Sequence, residues 1–102
     1  SVDMTSRKVS DGTEIDVTVR VYSDVPIDLL YKSFYSPIGY IYGHGTKGNF
    51  IELETDIWEY SWTDKVSQNA PKGKYFYEGI SVENEGDLES DIWPDELSLI
   101  IE

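Results

Sequence analysis

The residues with the most definite chemical potential are carboxylates that recur late in the chain at every second position. In an extended segment such side chains point to one side of the chain, about 6.7 Å apart. A row of this kind can accept charge-assisted hydrogen bonds from Lys and Arg of a partner and attract that partner over long distances. The spacing therefore predicts a partner-binding surface, which we extend to the aromatic and acidic residues that follow. Its residues are Glu83, Glu85, Asp87, Glu89, Asp91, Trp93, Asp95 and Glu96.

The charge balance of the chain changes sharply after Lys74. From Tyr75 to Glu102 there are nine acidic residues and no Lys or Arg, so this part carries −9 of the formal net charge of −12. The first 74 residues hold 11 acidic and 8 basic residues. Such a field attracts positively charged partners, whereas contacts to phosphates need a basic footprint that this sequence lacks. We therefore expect a basic protein as the partner and no direct binding of nucleic acid.

Imitation of DNA is a narrower version of this hypothesis. Duplex DNA carries one charge per about 1.7 Å of its axis, so a spacing of about 6.7 Å is about four times sparser. The acidic row alone cannot imitate a duplex, and a second row on a neighbouring strand would have to contribute. The candidates for that second row are Glu52, Glu54, Asp56 and Glu59.

No pattern in the sequence points to catalysis or to a metal. His44 is the only histidine, and it lies between two glycines with no cysteine to act beside it. The lack of cysteine excludes disulfides and thiolate metal sites, and the acidic row lacks the residue order of an EF-hand. We therefore predict a protein that is not an enzyme and that needs no metal or cofactor.

A set of aromatic residues forms a second candidate surface. Trp and Tyr that alternate along adjacent strands are either core residues or, if exposed, a platform for binding a sugar or a protein. The sequence leaves both interpretations open. The residues are Trp58, Tyr60, Trp62, Tyr75 and Tyr77.

Hydrophobic periodicity predicts a mixture of strands and one helix. Apolar β-branched residues alternate with polar residues from Ile15 to Tyr22, which is typical of a strand. Between Pro26 and Tyr35 the apolar residues follow the i, i+3, i+4, i+7 spacing of one helix face. Further strands are predicted within Ile38–Tyr42, Phe50–Trp62, Tyr75–Glu83 and Glu96–Ile101. These elements predict an α+β fold, with a mainly antiparallel sheet of four or five strands and one short helix packed on one face. An all-β barrel or sandwich is the alternative.

One domain is the natural count for 102 residues. Residues 1–3 resemble the remains of a cloning site, so we interpret residues 4–102 as a single globular domain that begins at Met4. We expect a cytoplasmic protein without a membrane interaction, because no apolar run approaches the ~20 residues of a membrane span and no signal peptide is recognisable.

Size, acidity and the lack of catalytic motifs together favour a small cytosolic inhibitor that binds and neutralises a basic partner. A toxin immunity protein is the preferred kind, with a toxin or a nucleic-acid-handling enzyme as its partner. The first alternative is a carbohydrate- or ligand-binding module that uses an aromatic sheet face. The second is a phage antidefence protein that acts by partial nucleic-acid mimicry. The oligomeric state stays open.

Overall fold

The computed structural model describes residues 1–47, 50–86 and 89–102, with all of their side chains except those of residues 44, 46–47 and 90–95. Within these ranges the chain forms eight strands and no helix. The first sheet has the strand order β1-β2-β6-β5 and the second has the order β4-β3-β7-β8, and neighbouring strands are antiparallel throughout. The strands are β1 (Val2–Val9), β2 (Gly12–Tyr22), β3 (Ile27–Ser36), β4 (Gly39–Lys47), β5 (Ile51–Glu54), β6 (Ile57–Ser67), β7 (Gly73–Asn84) and β8 (Glu89–Ile101).

The inner faces of the two sheets share one hydrophobic core. In β2, β3 and β7 the side chains at alternate positions point inward, as the two-residue repeat of a strand requires. The sheets form a sandwich and not a closed barrel, because β1 and β8 contact each other without a described ladder between them. The buried apolar residues are Ile15, Val17, Val19, Ile27, Leu30, Phe34, Val66, Tyr75, Tyr77, Ile80 and Val82.

The predicted helix over residues 26–35 is wrong, because this segment is strand β3. Leu30, Lys32 and Phe34 alternate inward, whereas Ile27 joins the same face through a register shift between Ile27 and Leu29. That bulge adds one residue to a two-residue repeat, so it produces the three-residue spacing that resembles a helix face. Lys32 hides the repeat further, because a lysine on the core side breaks the apolar alternation.

The α+β prediction, with one sheet and a packed helix, is therefore wrong. The observed fold is all-β, as in the alternative, and consists of two packed sheets. The strand predicted from Ile15 to Tyr22 is confirmed within β2. The strand predicted from Phe50 to Trp62 is two strands, because the chain turns at Asp56, which has a φ of 66°. This turn explains the change of apolar phase at that point.

The first residues of the chain take part in the sheet. Val2 pairs with Val19 and Asp3 with Thr18, and the amino group of Ser1 donates to the carbonyl of Arg20 at 2.7 Å. Whether residues 1–3 derive from cloning stays a prediction. No helix in the described ranges has the length and apolar character needed to cross a membrane.

Candidate functional site

Four carboxylates lie on the outer side of the second sheet, and we call this group the acidic face: Glu78, Glu83, Glu89 and Glu96. Strand register brings them together in two pairs across β7 and β8. Glu78 lies directly opposite Glu96, and Glu83 lies directly opposite Glu89. Like charges in this arrangement repel each other, and in the pair Glu78/Glu96 the ion pair of Lys74 with Glu96 offsets part of this repulsion.

A bulge at Gly79 keeps both pairs on one side of the sheet. Glu78 and Glu83 are five positions apart, and in a regular strand an odd separation would place them on opposite faces. The register of β7 with β8 shifts between Glu78 and Ile80, where Gly79 adopts a φ of 64°. The bulge adds one residue, so Ile80 points into the core and Glu83 joins Glu78 outside.

The predicted acidic row folds back as a hairpin instead of running along one extended strand. Asn84 ends β7, and its side-chain oxygen accepts a hydrogen bond from the backbone N–H of Gly86 at 2.8 Å. Glu85 is exposed in this turn, and its N–H donates to the carbonyl of Pro26 at 2.9 Å. Glu83 and Glu89 therefore face each other across the hairpin. Sequence periodicity alone could not show this arrangement.

The remaining predicted partner-binding residues are only partly described. Asp87 lies outside the described residues. Asp91 pairs in register with Ser81, and Trp93 pairs with the buried Ile80. Asp95 is also in β8. The side chains of Asp91, Trp93 and Asp95 lie outside the described set, so the acidic face is defined without them.

Most of the described ion pairs lie away from the acidic face. Arg7 binds Glu14 and Asp16, Arg20 binds Glu59, and Lys65 binds Asp11, all on strands of the first sheet or beside them. On the acidic face, Lys74 binds Glu96. Among the side chains that the structure describes, no Lys or Arg forms an ion pair with the three other carboxylates of the face. The negative charge of Glu78, Glu83 and Glu89 is thus available to a partner.

Tyr31 of β3 contacts the acidic face at the end formed by Glu83 and Glu89. Its hydroxyl donates to a carboxylate oxygen of Glu83 at 2.9 Å. The pKa of Tyr31 is raised, first by this hydrogen bond, then by burial, and then by the negative charges of Glu83, Glu89 and Asp28. The hydrogen bond from Tyr31 thus ties β3 to one end of the acidic face.

Aromatic side chains continue the same outer surface beyond the acidic face. The rings of Tyr35 and Phe76 stack at a centroid distance of 4.8 Å with an angle of 5° between their planes. Tyr40 meets Tyr35 edge-on at 5.7 Å and is 61% exposed. We call these three residues the aromatic ladder. Sequence reasoning missed it, because Tyr35 and Phe76 are distant in the sequence and become neighbours only when β3 pairs with β7.

The aromatic platform predicted from the sequence lies mainly inside the protein. Tyr75 and Tyr77 are 2% and 0% exposed. Trp58, Tyr60 and Trp62 are half-buried and pack against the core. Tyr75 and Tyr77 therefore belong to the core, and the other three rings are only partly accessible to solvent.

A polar cluster links the two sheets at the core, and it consists of Lys32, Tyr42, Trp62, Asp64 and Tyr77. One carboxylate oxygen of Asp64 accepts hydrogen bonds from the hydroxyl of Tyr42 at 2.5 Å, from the indole N–H of Trp62 at 3.1 Å and from the hydroxyl of Tyr77. We call these five residues the Asp64 cluster. Because its members come from β3, β4, β6 and β7, it fixes the sheets relative to each other.

Lys32 brings a buried positive charge into the Asp64 cluster. Lys32 is 8% exposed, and its amino group lies 4.2 Å from the ring centroid of Trp62 and 5.2 Å from that of Tyr42. Burial lowers the pKa of Lys32, and the negative charge of Asp64 partly opposes this effect. The aromatic rings and the carboxylate together compensate the cation, so we assign the cluster a structural role.

The Asp64 cluster predicts a steep loss of stability above pH 10. Burial raises the pKa of Tyr42 and of Tyr77, and the hydrogen bonds to Asp64 raise both further. Both phenols lose their protons near pH 10 in the unfolded chain, so their contribution to stability is complete below pH 10 and is lost as the pH rises above it. In an alkaline titration, the phenolate absorbance of these two residues should appear together with unfolding measured by circular dichroism. The explanation is wrong if the variant Tyr42→Phe/Tyr77→Phe shows a smaller phenolate signal than the parent before unfolding begins, because Tyr42 and Tyr77 would then lose their protons in the folded protein.

A pocket of about 360 Å³ lies between the ends of β1 and β8. Arg7 and Lys8 line one side, Leu99 and Ile101 line another, and Lys72 completes it. None of the described residues predicted to bind a partner lines this pocket. Among the described side chains, no group of three or more His, Asp or Glu is arranged to hold a metal ion. The acidic face is an open sheet surface, formed by outward-facing side chains of β7 and β8.

Comparison with protein-family models finds no family that matches this chain, and neither curated proteins nor solved structures give a match. The geometry and charge of the acidic face therefore carry the functional inference.

Proposed function

We propose that this protein is a small cytoplasmic inhibitor that binds a basic protein on its acidic face and covers the cationic surface with which that partner handles nucleic acid. A toxin immunity protein is the form of this function that we prefer. The observation that carries the proposal is the facing of like charges across β7 and β8, where Glu78 lies opposite Glu96 and Glu83 lies opposite Glu89. Among the side chains that the structure describes, Glu78, Glu83 and Glu89 form no ion pair with a Lys or Arg.

The repulsion within the acidic face supports a role in binding. Glu78 faces Glu96 and Glu83 faces Glu89 across neighbouring strands, and pairs of this kind destabilise a sheet. Lys or Arg side chains of a partner would relieve that repulsion and form charge-assisted hydrogen bonds with the same carboxylates. Complex formation thus gains from a feature that is unfavourable in the free protein.

The net charge of the whole chain supports rapid capture of such a partner. A formal charge of −12 on 102 residues produces a long-range field that accelerates the encounter with a positively charged protein. Salt screens this field over about 10 Å at 0.1 M ionic strength. The proposed complex should therefore form more slowly at high salt.

The two alternative functions find less support in the placement of their residues. A carbohydrate-binding surface would need exposed rings, but Tyr75 and Tyr77 lie in the core. Mimicry of DNA would need a second acidic row beside the first. Glu52, Glu54 and Glu59 lie in β5 and β6 of the other sheet, and Glu59 is paired with Arg20.

The test neutralises the acidic face with the variant Glu78→Gln/Glu83→Gln/Glu89→Gln/Glu96→Gln. Its probes are the purified basic proteins encoded by the reading frames beside this gene, and affinity is measured by calorimetry at two salt concentrations. We expect one of these proteins to bind the parent chain. We expect the variant to bind it roughly 10- to 100-fold more weakly at low salt, with a smaller salt dependence, because four attractive charges are removed.

A charge-matched control separates the acidic face from net charge. The variant Asp3→Asn/Asp24→Asn/Glu52→Gln/Glu54→Gln removes four exposed carboxylates outside the second sheet. It should retain most of the parent's affinity. Equal weakening by both variants, unchanged binding by the first variant, or failure of every basic neighbour to bind would contradict the proposal.

A further inference from the structure

One cation of the chain itself, the amino group of Lys74, lies on the outer surface of the second sheet. The amino group of Lys74 lies 5.0 Å from the ring centroid of Phe76 and forms an ion pair with Glu96. Both side chains of this ion pair are nearly half exposed, at 45% for Lys74 and 44% for Glu96. The surface therefore offers a cation a ring face and a carboxylate at the same time, within reach of solvent.

The aromatic ladder enlarges this position into a surface on which planar groups can stack. Tyr35 lies parallel to Phe76 at 4.8 Å, and Tyr40 closes the ladder at its exposed end. The strand register places Tyr35 opposite Phe76, and Phe76 opposite Ser98 of β8. Glu78 and Glu96 form the next outward-facing pair along the same strands, at a spacing of about 6.7 Å. Rings and carboxylates thus lie side by side on one face.

We propose that this surface selects arginine over lysine, so that the basic partner docks through arginine side chains stacked on the aromatic ladder and paired with the carboxylates of the acidic face. This inference rests on the proposed function and specifies the chemistry of the partner. A guanidinium is planar, stacks on aromatic rings and offers a fork of N–H donors to a carboxylate. A lysine ammonium makes the ion pair but lacks both the stacking surface and the fork.

Lys74 has a definite role under this inference. It occupies the position between Phe76 and Glu96, so it competes with an incoming arginine. Removing Lys74 should take this competing cation away from Phe76 and Glu96. Lys72 is the matched comparison, because it carries the same charge two residues earlier and lies outside β7, where its amino group donates to the carbonyl of Gln68 at 3.3 Å.

The experiment measures the binding of two synthetic peptides, deca-arginine and deca-lysine, by calorimetry at one fixed ionic strength. The parent chain should bind deca-arginine roughly 3- to 10-fold more tightly than deca-lysine. Lys74→Ala should strengthen binding of deca-arginine more than Lys72→Ala does, although both changes remove one positive charge. Equal affinity for the two peptides, or equal effects of the two lysine variants, would overturn the inference.

Removal of the rings gives an independent test of the same surface. The variant Tyr35→Leu/Phe76→Leu should lose the preference for deca-arginine while it still binds both peptides in a salt-dependent manner. Tyr22→Leu, a change at a 74% exposed tyrosine of the first sheet, should keep the preference. If the preference persists without the rings, the inference is wrong.

Failure of this inference is distinguishable from failure of the proposed function. The neutralised variant Glu78→Gln/Glu83→Gln/Glu89→Gln/Glu96→Gln should weaken the binding of both peptides. If it does so and the parent shows no preference for arginine, arginine selectivity is refuted and the acidic docking surface stands. If the neutralised variant binds both peptides as tightly as the parent, the acidic face is not the docking surface and both proposals fall.

Discussion

Replacement of Asp64 by alanine is expected to lower the free energy of unfolding by about 2–4 kcal/mol. The change removes the oxygen that accepts hydrogen bonds from Tyr42, Trp62 and Tyr77. It also removes the negative charge that partly compensates the buried amino group of Lys32. Three donors and one cation would then lack their common partner in the interior, where such groups are expensive to leave unpaired. Urea unfolding followed by Trp fluorescence measures the effect.

A matched variant shows whether burial is the cause. Asp16→Ala also removes a carboxylate that binds several side chains, because Asp16 accepts from Arg7 and from Thr63 on the outer side of the first sheet. Water can replace these contacts, so the expected loss is at most about 1 kcal/mol. Lys32→Met, which replaces the buried cation by an apolar chain of similar length, should reduce the damage of Asp64→Ala when both changes are combined. Equal losses in Asp64→Ala and Asp16→Ala would contradict the role assigned to the Asp64 cluster.

Replacement of Gly12 by alanine is expected to lower the free energy of unfolding by about 2–4 kcal/mol, because the backbone of another strand occupies the space of the added methyl group and because L-residues rarely adopt the φ of 157° found at Gly12. A Cβ atom at this position would lie 2.1 Å from the carbonyl oxygen of Val66 and 3.1 Å from the backbone nitrogen of Gln68. Neither backbone group can rotate away as a side chain could. The clash would push β2 from β6 at the end of the core where Val66 is buried.

Gly79→Ala is the control for the Gly12 variant. Gly79 has a φ of 64°, but an added Cβ atom there would meet nothing within 4 Å. Only the backbone preference of an L-residue opposes this change, and that amounts to about 1–2 kcal/mol. Thermal or urea unfolding of both variants should therefore show a clearly larger loss for Gly12→Ala. The steric explanation is wrong if Gly79→Ala is equally or more destabilising.

The strands differ in how well they could be predicted from the sequence. β2 was predictable, because Ile15, Val17 and Val19 alternate without interruption and all three are buried. β3 was not, since a bulge near its start and a lysine on its inner face gave its apolar residues a helical spacing. The bulge depends on the pairing of β3 with β7, and the inward position of Lys32 depends on the aromatic side chains around it. Neither can be recognised from the local sequence. The predicted helix, and with it the α+β fold class, came from this one segment.

The candidate site was predictable in its charge but not in its geometry. The excess of acidic residues after Lys74 is evident in the sequence, and Glu83, Glu89 and Glu96 do lie on one outer face. Glu78 was missed, because it comes onto that face only through the bulge at Gly79. The aromatic ladder was missed as well, because it depends on the pairing of β3 with β7. Register and bulges, which arise from long-range pairing, decide which side chains meet.

The most direct test of the central claim is a map of where a cationic ligand contacts the protein. Amide chemical shifts of the labelled chain are followed by NMR during titration with deca-arginine at low salt. The largest changes are expected in β7, in β8 and in the part of β3 around Tyr31 and Tyr35, with small changes in β1, β2, β5 and β6. Changes that concentrate on the first sheet, or that spread evenly over both sheets, would contradict a docking surface formed by Glu78, Glu83, Glu89 and Glu96.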